Sequence, residues 1–188
     1  MRKVERSELL DYQTYTDRRD ALREAASEVK KPRRVLVPPA LNFLFETTET
    51  VRYQVQEMMR VERIVREKDI QHELDTYNAI LGDERELGCT LLIEYDDPKV
   101  RDERLRALVK LPEYLYLELD DGTRVRPSYD PAQVGEDRLS SVQYLKFKVA
   151  AGVPVALGAD HPELSTRQEL DGEQRAALLA DLASEKTN

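Results

Sequence analysis

The chain has 188 residues, a length suited to one domain around one core, and its 40% hydrophobic and 35% charged composition describes a folded protein with a heavily charged surface. A formal net charge of -8 disfavours attraction to nucleic acid or an anionic membrane, both of which reward clustered Lys and Arg. No apolar run reaches the roughly 20 residues needed to span a bilayer, "MRKVERSELLDYQ" lacks the apolar region of a secretory signal, and the single cysteine, Cys89, excludes an intrachain disulfide or an all-thiolate metal site. The expectation is a cytoplasmic protein with neither nucleic acid nor membrane as partner.

Residues 7–31 predict an N-terminal helix, with Ala21, Leu22, Ala25 and Val29 at helical spacing and Pro32 as its stop. "RRVLVPPALNFLFE" then switches to two short apolar runs, 35–37 and 41–45, parted by Pro38 and Pro39: two strands with a proline turn. The threonines of "ETTET" offer N-caps for a long helix over about 50–81 that stops at Gly82. "ELGCTLLIEY" is apolar on both faces and predicts a central strand in which Cys89 is buried and inert. Asp96, Asp97 and Pro98 open a further helix with Val100, Leu105, Leu108 and Leu111 on its buried side.

In "YLYLELDDGTRVRP" the side-chain pattern selects the turn. A three-residue loop of Asp120, Asp121 and Gly122 sets Leu117 opposite Val125 and Glu118 opposite Arg124, so apolar and charged pairs fall on opposite faces; a two-residue Asp-Gly turn would set Leu119 against Arg124. "SSVQYLKFKV" alternates as a strand, with Leu145, Phe147 and Val149 on one face and Val142 and Tyr144 on the other. "VPVALG" and "LSTRQEL" are weaker strands. A final helix over 171–184 carries a capping box of Asp171 and Gln174, with Ala176, Leu179 and Leu182 as its buried stripe. The order predicts a single α+β domain over 1–188, with a mixed or mainly antiparallel sheet packed against the long helix and the terminal helices on the same core.

On a helical wheel the first half of the long helix gathers Val51, Val55, Met58 and Val65, flanked by Met59 and Val61, and the second half gathers Ile70, Leu74, Tyr77 and Leu81 about a quarter turn away. The apolar face therefore changes near 66–69, through a break or through two different partners, one of them a second subunit in a homodimer. The first-half face, extended, carries Glu62, Asp69 and Glu73 with His72 at its edge. Carboxylates and imidazole are ligand types for a divalent metal, and His161, beside Asp160 in a "GADHPEL" loop, could complete a set. The favoured reading is a solvated face in which Glu62 pairs with Arg66. Gln54, Glu57 and Arg60 form a separate polar cluster, read first as a hydrogen-bonded structural network.

No nucleophile elbow, phosphate loop or dinucleotide fingerprint occurs, and only seven glycines are present. The nine tyrosines scatter through core-like segments and do not describe a base-stacking platform. The stretches "FLFETTETVRYQVQEMMRVERI", "YNAILGDERELGCTLLIEYDDP" and "GEDRLSSVQYLKF" resemble a bacterial family catalogued as a domain of unknown function, DUF3501, over nearly the whole chain. The resemblance carries over no catalytic residue. Its members are often encoded near rubrerythrin-like and iron-sulfur redox proteins, which implies an accessory role in redox or stress metabolism beside a redox-protein partner. The leading expectation is thus a non-catalytic binding or accessory protein. The alternative is a small metal-dependent enzyme using Glu62, Asp69, His72, Glu73 and His161, and whether the chain is an enzyme stays open.

Overall fold

The computed structural model describes residues 1–184. Two four-stranded antiparallel sheets share one core. The first has the order β1 (Arg34–Val37), β2 (Leu41–Phe45), β3 (Glu86–Ile93), β6 (Val142–Lys148); the second has the order β5 (Arg124–Val125), β4 (Leu115–Leu119), β7 (Pro154–His161), β8 (Leu164–Glu169). Phe43, Phe45, Cys89, Leu91 and Phe147 from the first sheet meet Leu115, Leu117, Leu157 and Ala159 from the second. Alternation explains the arrangement, because each of these strands sends every second side chain inward.

The hairpin register is the one its charges select: Leu117 faces Val125, Glu118 faces Arg124, and Gly122 takes φ +83 between them. β3 is central, flanked by β2 and β6, and Cys89 is fully buried with its thiol pKa pushed up by burial. "VPVALG" and "LSTRQEL" pair with each other as β7 and β8. The proline turn between β1 and β2 holds a cis Pro38–Pro39 peptide.

A second, smaller core lies among the helices. Val51, Val55 and Met59 of α2 (Thr48–Val61) meet Ile70 and Leu74 of α3 (Glu67–Asn78), together with Val4, Leu9 and Leu81. The expected helix over 50–81 is therefore two helices, and the apolar face changes because the chain turns between them. Arg63 adopts a left-handed φ of +53, and the Ile64 N–H donates to Met59 O at 2.9 Å, the bond that closes a helix C-terminus of Schellman type. The break thus falls over 62–66, earlier than the 66–69 expected, and it leaves Val61 and Val65 62% and 71% exposed.

Other boundaries shift for similar local reasons. The N-terminal helix expected over 7–31 is α1 (Tyr12–Lys30), begun by Asp11, whose carboxylate accepts from the Gln13 and Thr14 N–H groups; Arg6–Glu8 form a separate short 3-10 turn. Val100 of α4 (Pro98–Ala107) is exposed, while Leu105, Leu108 and Leu111, the last of these in α5 (Leu111–Tyr114), are buried. The Asp171–Gln174 capping box forms at the start of α6 (Gly172–Ala183), but the buried pair is Leu178 and Leu182, with Leu179 outside. Arg33 grips Asp181 through two bonds of 2.8 and 2.9 Å, and Gln174 donates to Arg34 O, so the face turned inward is the one that carries these anchors.

The N-terminal segment is tied down by side-chain amides that imitate strand pairing. Asn78 accepts from Val4 N at 2.8 Å and donates to Val4 O at 2.9 Å; Gln56 accepts from Leu10 N at 2.6 Å and donates to Leu10 O at 3.2 Å. Each ring satisfies one backbone donor and one backbone acceptor at once, buried at Val4 and half-buried at Leu10. Beyond α3, the chain reaches β3 by a close crossing in which a Cβ on Gly88 would stand 2.0 Å from Ile80 O, so only glycine fits there.

Candidate functional site

The polar cluster expected at Gln54, Glu57 and Arg60 is centred on Glu57. Its carboxylate accepts from Arg19 Nε and Nη2, both at 2.8 Å, and from the Tyr15 hydroxyl at 2.6 Å. The Arg19 guanidinium holds the Glu57 carboxyl down to about 2, and burial followed by the hydrogen bond to Glu57 pushes the Tyr15 phenol well up. Arg60 Nε lies 3.5 Å from Glu57 but makes no hydrogen bond, and Gln54 stands outside the network. A carboxylate this firmly ionised and a phenol this firmly protonated clamp α1 to α2. Neither is poised to exchange a proton near neutral pH.

The residues considered for a metal are spread over different surroundings. Glu62 and His72 are exposed, Asp69 and Glu73 half-buried. With the helix broken over 62–66, the wheel that aligned Glu62 with Asp69 and Glu73 no longer applies. His161 ends β7 instead of occupying a loop, and strand alternation turns it inward: it is 7% exposed, its Nδ1 accepts from Glu163 N at 3.1 Å, and its ring meets Tyr114 edge-on at 4.9 Å. Burial pushes its pKa down, so it is neutral. Among the described residues no three His, Cys, Asp or Glu side chains form a group that could hold a metal ion.

A cavity of about 440 Å³ lies where the helical layer meets the first sheet. The end of α3 forms one wall with Thr76, Tyr77, Ala79 and Ile80. The outer face of β6 forms another with Tyr144 and Lys146, which alternation places on the same side of the strand. A strap over 128–133, holding Ser128, Tyr129, Asp130 and Gln133, closes the third side. The strap is fixed to the otherwise free edge of β6: Ser128 and Lys146 exchange backbone bonds of 2.8 and 2.9 Å, and Gln133 closes another amide ring on Tyr144, accepting from its N–H at 2.8 Å and donating to its carbonyl at 2.9 Å. That edge is thereby paired instead of left as a template for another strand.

Burial raises the pKa of Tyr129 and of Tyr144, so both phenols stay neutral hydrogen-bond donors. The volume is within the range of small-molecule sites, and the lining combines apolar surface with a few polar groups, the usual composition of such sites. The arrangement can hold a small molecule against aromatic faces and direct it with hydroxyl donors. Sequence reasoning passed over these tyrosines because each belongs to a different segment. The available signal was the pairing of Tyr144 with Lys146 on the polar side of an alternating strand.

Two other surfaces are notable. A groove of about 270 Å³ between α1 and α2 is floored by Leu22, Ala26 and Val29 and rimmed by Arg18, Arg52, Glu8 and Glu49. The outer face of the second sheet is closed by ion pairs: Arg126 grips Asp160 at 2.9 and 2.7 Å, Arg167 reaches Glu118 at 2.7 Å, and Arg124 lies 4.1 Å above the Tyr116 ring. Among the described residues no helix is long and apolar enough to cross a membrane.

A family model described as "Protein of unknown function (DUF3501)" matches residues 3–182. A crystal structure of a protein of unknown function from Burkholderia pseudomallei K96243 is similar throughout, at 30% identity and a TM-score of 0.88, covering 96% of this chain and 99% of the other. No curated protein matches the chain.

Proposed function

We propose, for a chain that belongs to the DUF3501 family of proteins of unknown function, that it is a binding protein whose ligand occupies the cavity between α3 and β6. The observation that carries this reading is the construction of the cavity: three tyrosines from three separate segments, Tyr77, Tyr129 and Tyr144, converge on one space of about 440 Å³. The role in bacterial redox or stress metabolism implied by the family resemblance fits an accessory of this kind, one that carries or senses a small molecule for a redox-protein partner. A homodimer remains part of the proposal, with exposed Val61 and Val65 at the α2–α3 corner as its contact; a single-chain mass by light scattering at micromolar concentration removes it.

The test of the binding reading is a thermal-shift screen of the full chain against small neutral and charged fragments, repeated on Ala79→Trp. Ala79 is an exposed residue of the lining, so the indole fills the space without displacing the core. A true ligand at about 100 times its dissociation constant stabilises the native state by about 2.7 kcal/mol. That stabilisation should vanish in Ala79→Trp. A fragment that shifts both proteins equally binds elsewhere, and a screen in which none shifts the unsubstituted chain sinks the reading.

A further inference from the structure

We propose that the cavity between α3 and β6 is a receptor for a small organic cation, an ammonium head of a few carbons seated against the faces of Tyr77, Tyr129 and Tyr144. The proposal rests on the binding reading above and names its ligand class. Four features of the molecule lead to it.

The cavity tyrosines carry no cation over their rings, whereas two tyrosines elsewhere do. Tyr53 has Lys30 Nζ 5.2 Å from its ring centre, and Tyr116 has Arg124 and Arg126 at 4.1 and 5.7 Å. Among the described residues no Lys or Arg lies over Tyr77, Tyr129 or Tyr144. The negative face of an aromatic ring attracts a cation, and a group of such faces in a partly dry cavity is how ammonium ligands are held.

The wall made by α3 is the negative end of a helix. α3 carries Glu67 and Asp69 in its first turn, which suit its N-terminus, and no basic residue in its last turn to answer the partial charge of its final carbonyls; the Met1 ammonium lies further on, donating to Gly82 O at 2.9 Å. Tyr77 and Ala79 place that end directly on the cavity.

Two carboxylates near the cavity make no close ion pair among the described residues, although the charge of Glu46 reaches Lys30 at longer range. One oxygen of Asp130 accepts from Ala132 N. Glu46 accepts from the hydroxyls of Thr50 and Thr90, the latter at 2.7 Å. Among the described residues neither has a Lys, Arg or His partner within ion-pair distance. Glu46 is near enough that its charge adds to burial and to Tyr77 in raising the Tyr144 phenol. Against these stands one cation in the lining, Lys146.

The whole chain completes the case, since a net charge of -8 raises the local concentration of cations over anions.

The experiment is titration calorimetry of the full chain with choline, with its neutral carbon isostere 3,3-dimethylbutan-1-ol, and with acetate. Choline should bind about tenfold or more tightly than the isostere, the difference expected when a cation–π contact is lost at fixed shape. Tyr144→Ala should abolish choline binding while leaving the melting temperature within a few degrees, because Tyr144 is 45% exposed. Lys146→Ala should tighten choline binding by removing the like charge, a gain that general damage to the fold would not produce. Equal binding of choline and the isostere overturns the charge assignment while the binding reading stands. Acetate binding that is lost in Lys146→Ala overturns it in favour of an anion site. Binding of none of the three overturns it as well, and the Ala79→Trp screen then decides separately whether the cavity binds anything.

Discussion

On the outside of the second sheet, Tyr116 is only 2% exposed, with two arginines over its ring and Glu118, Asp160 and Glu169 answering Arg124, Arg126 and Arg167. On the outside of the first sheet, Tyr144 is 45% exposed beside a cavity, with Thr90 opposite it on β3 and Lys146 two residues along on β6. Both faces are polar sides of antiparallel sheets, both carry a tyrosine next to a glutamate, and the two differ in whether the charges are matched within the chain. A face whose charges and ring surfaces are all occupied by its own side chains contributes to folding and has nothing left with which to bind. On the first sheet Tyr144 has no Lys or Arg over its ring and Glu46, though its charge reaches Lys30, makes no close ion pair among the described residues, and that residual demand is what makes it the functional candidate.

The largest effect should come from Tyr116→Ala. Removing a buried aromatic costs about 3–5 kcal/mol, which for a chain of this length is about 10 °C in melting temperature. Tyr144→Ala should move it by no more than a few degrees, and equal falls for the two would erase the distinction between the faces. The amide rings sharpen it at the next level. Gln56→Leu leaves the Leu10 N–H and carbonyl without partners beside a buried site and should cost about 2–3 kcal/mol in chemical denaturation. Gln133→Ala, where water can replace the lost bonds, should cost about 1 kcal/mol. It should also speed hydrogen exchange of the Tyr144 amide, and an unchanged rate would mean that the strap does not protect the edge.

A smaller and pH-dependent effect belongs to His161. Its pKa is lowered in the folded state, so the unfolded chain takes up a proton that the folded chain does not. Above about pH 6.5 both states are neutral and His161 adds no pH dependence; as the pH falls below that value stability is lost, by at most about 1.4 kcal/mol per pH unit. Denaturation midpoints between pH 7.5 and 5.5 should slope less steeply in His161→Gln than in the unsubstituted chain, and parallel slopes would show that His161 takes its proton without unfolding.

What could be seen in the sequence follows from how local each feature is. The β4–β5 turn was legible because Glu118 and Arg124 must share a face, and the α6 start because Asp171 and Gln174 satisfy each other within one turn. The break between α2 and α3 was legible as a change of apolar face, but its position was not. The left-handed residue that ends a helix of this kind is usually glycine or asparagine, and here it is Arg63. His161 looked like a loop residue because of Pro162. The alternation of Leu157 and Ala159 continues through it and sends it inward. The clamp at Glu57 was half visible, since Arg60 is on the same helix but Tyr15 and Arg19 are on another. The cavity had no local signature, since Tyr77, Tyr129 and Tyr144 are gathered only by the pairing of β3 with β6 and by a strap that no periodicity marks.

The Gln133 ring on Tyr144 joins two matters that are usually separate. The strap that roofs the cavity is the same segment that occupies the free edge of β6, so any opening wide enough to admit a ligand through this side also bares a row of strand amides and carbonyls. Ligand exchange in this protein would then carry a brief exposure to self-association, and a bound ligand that keeps the strap seated would act as a solubility factor as well as a cargo.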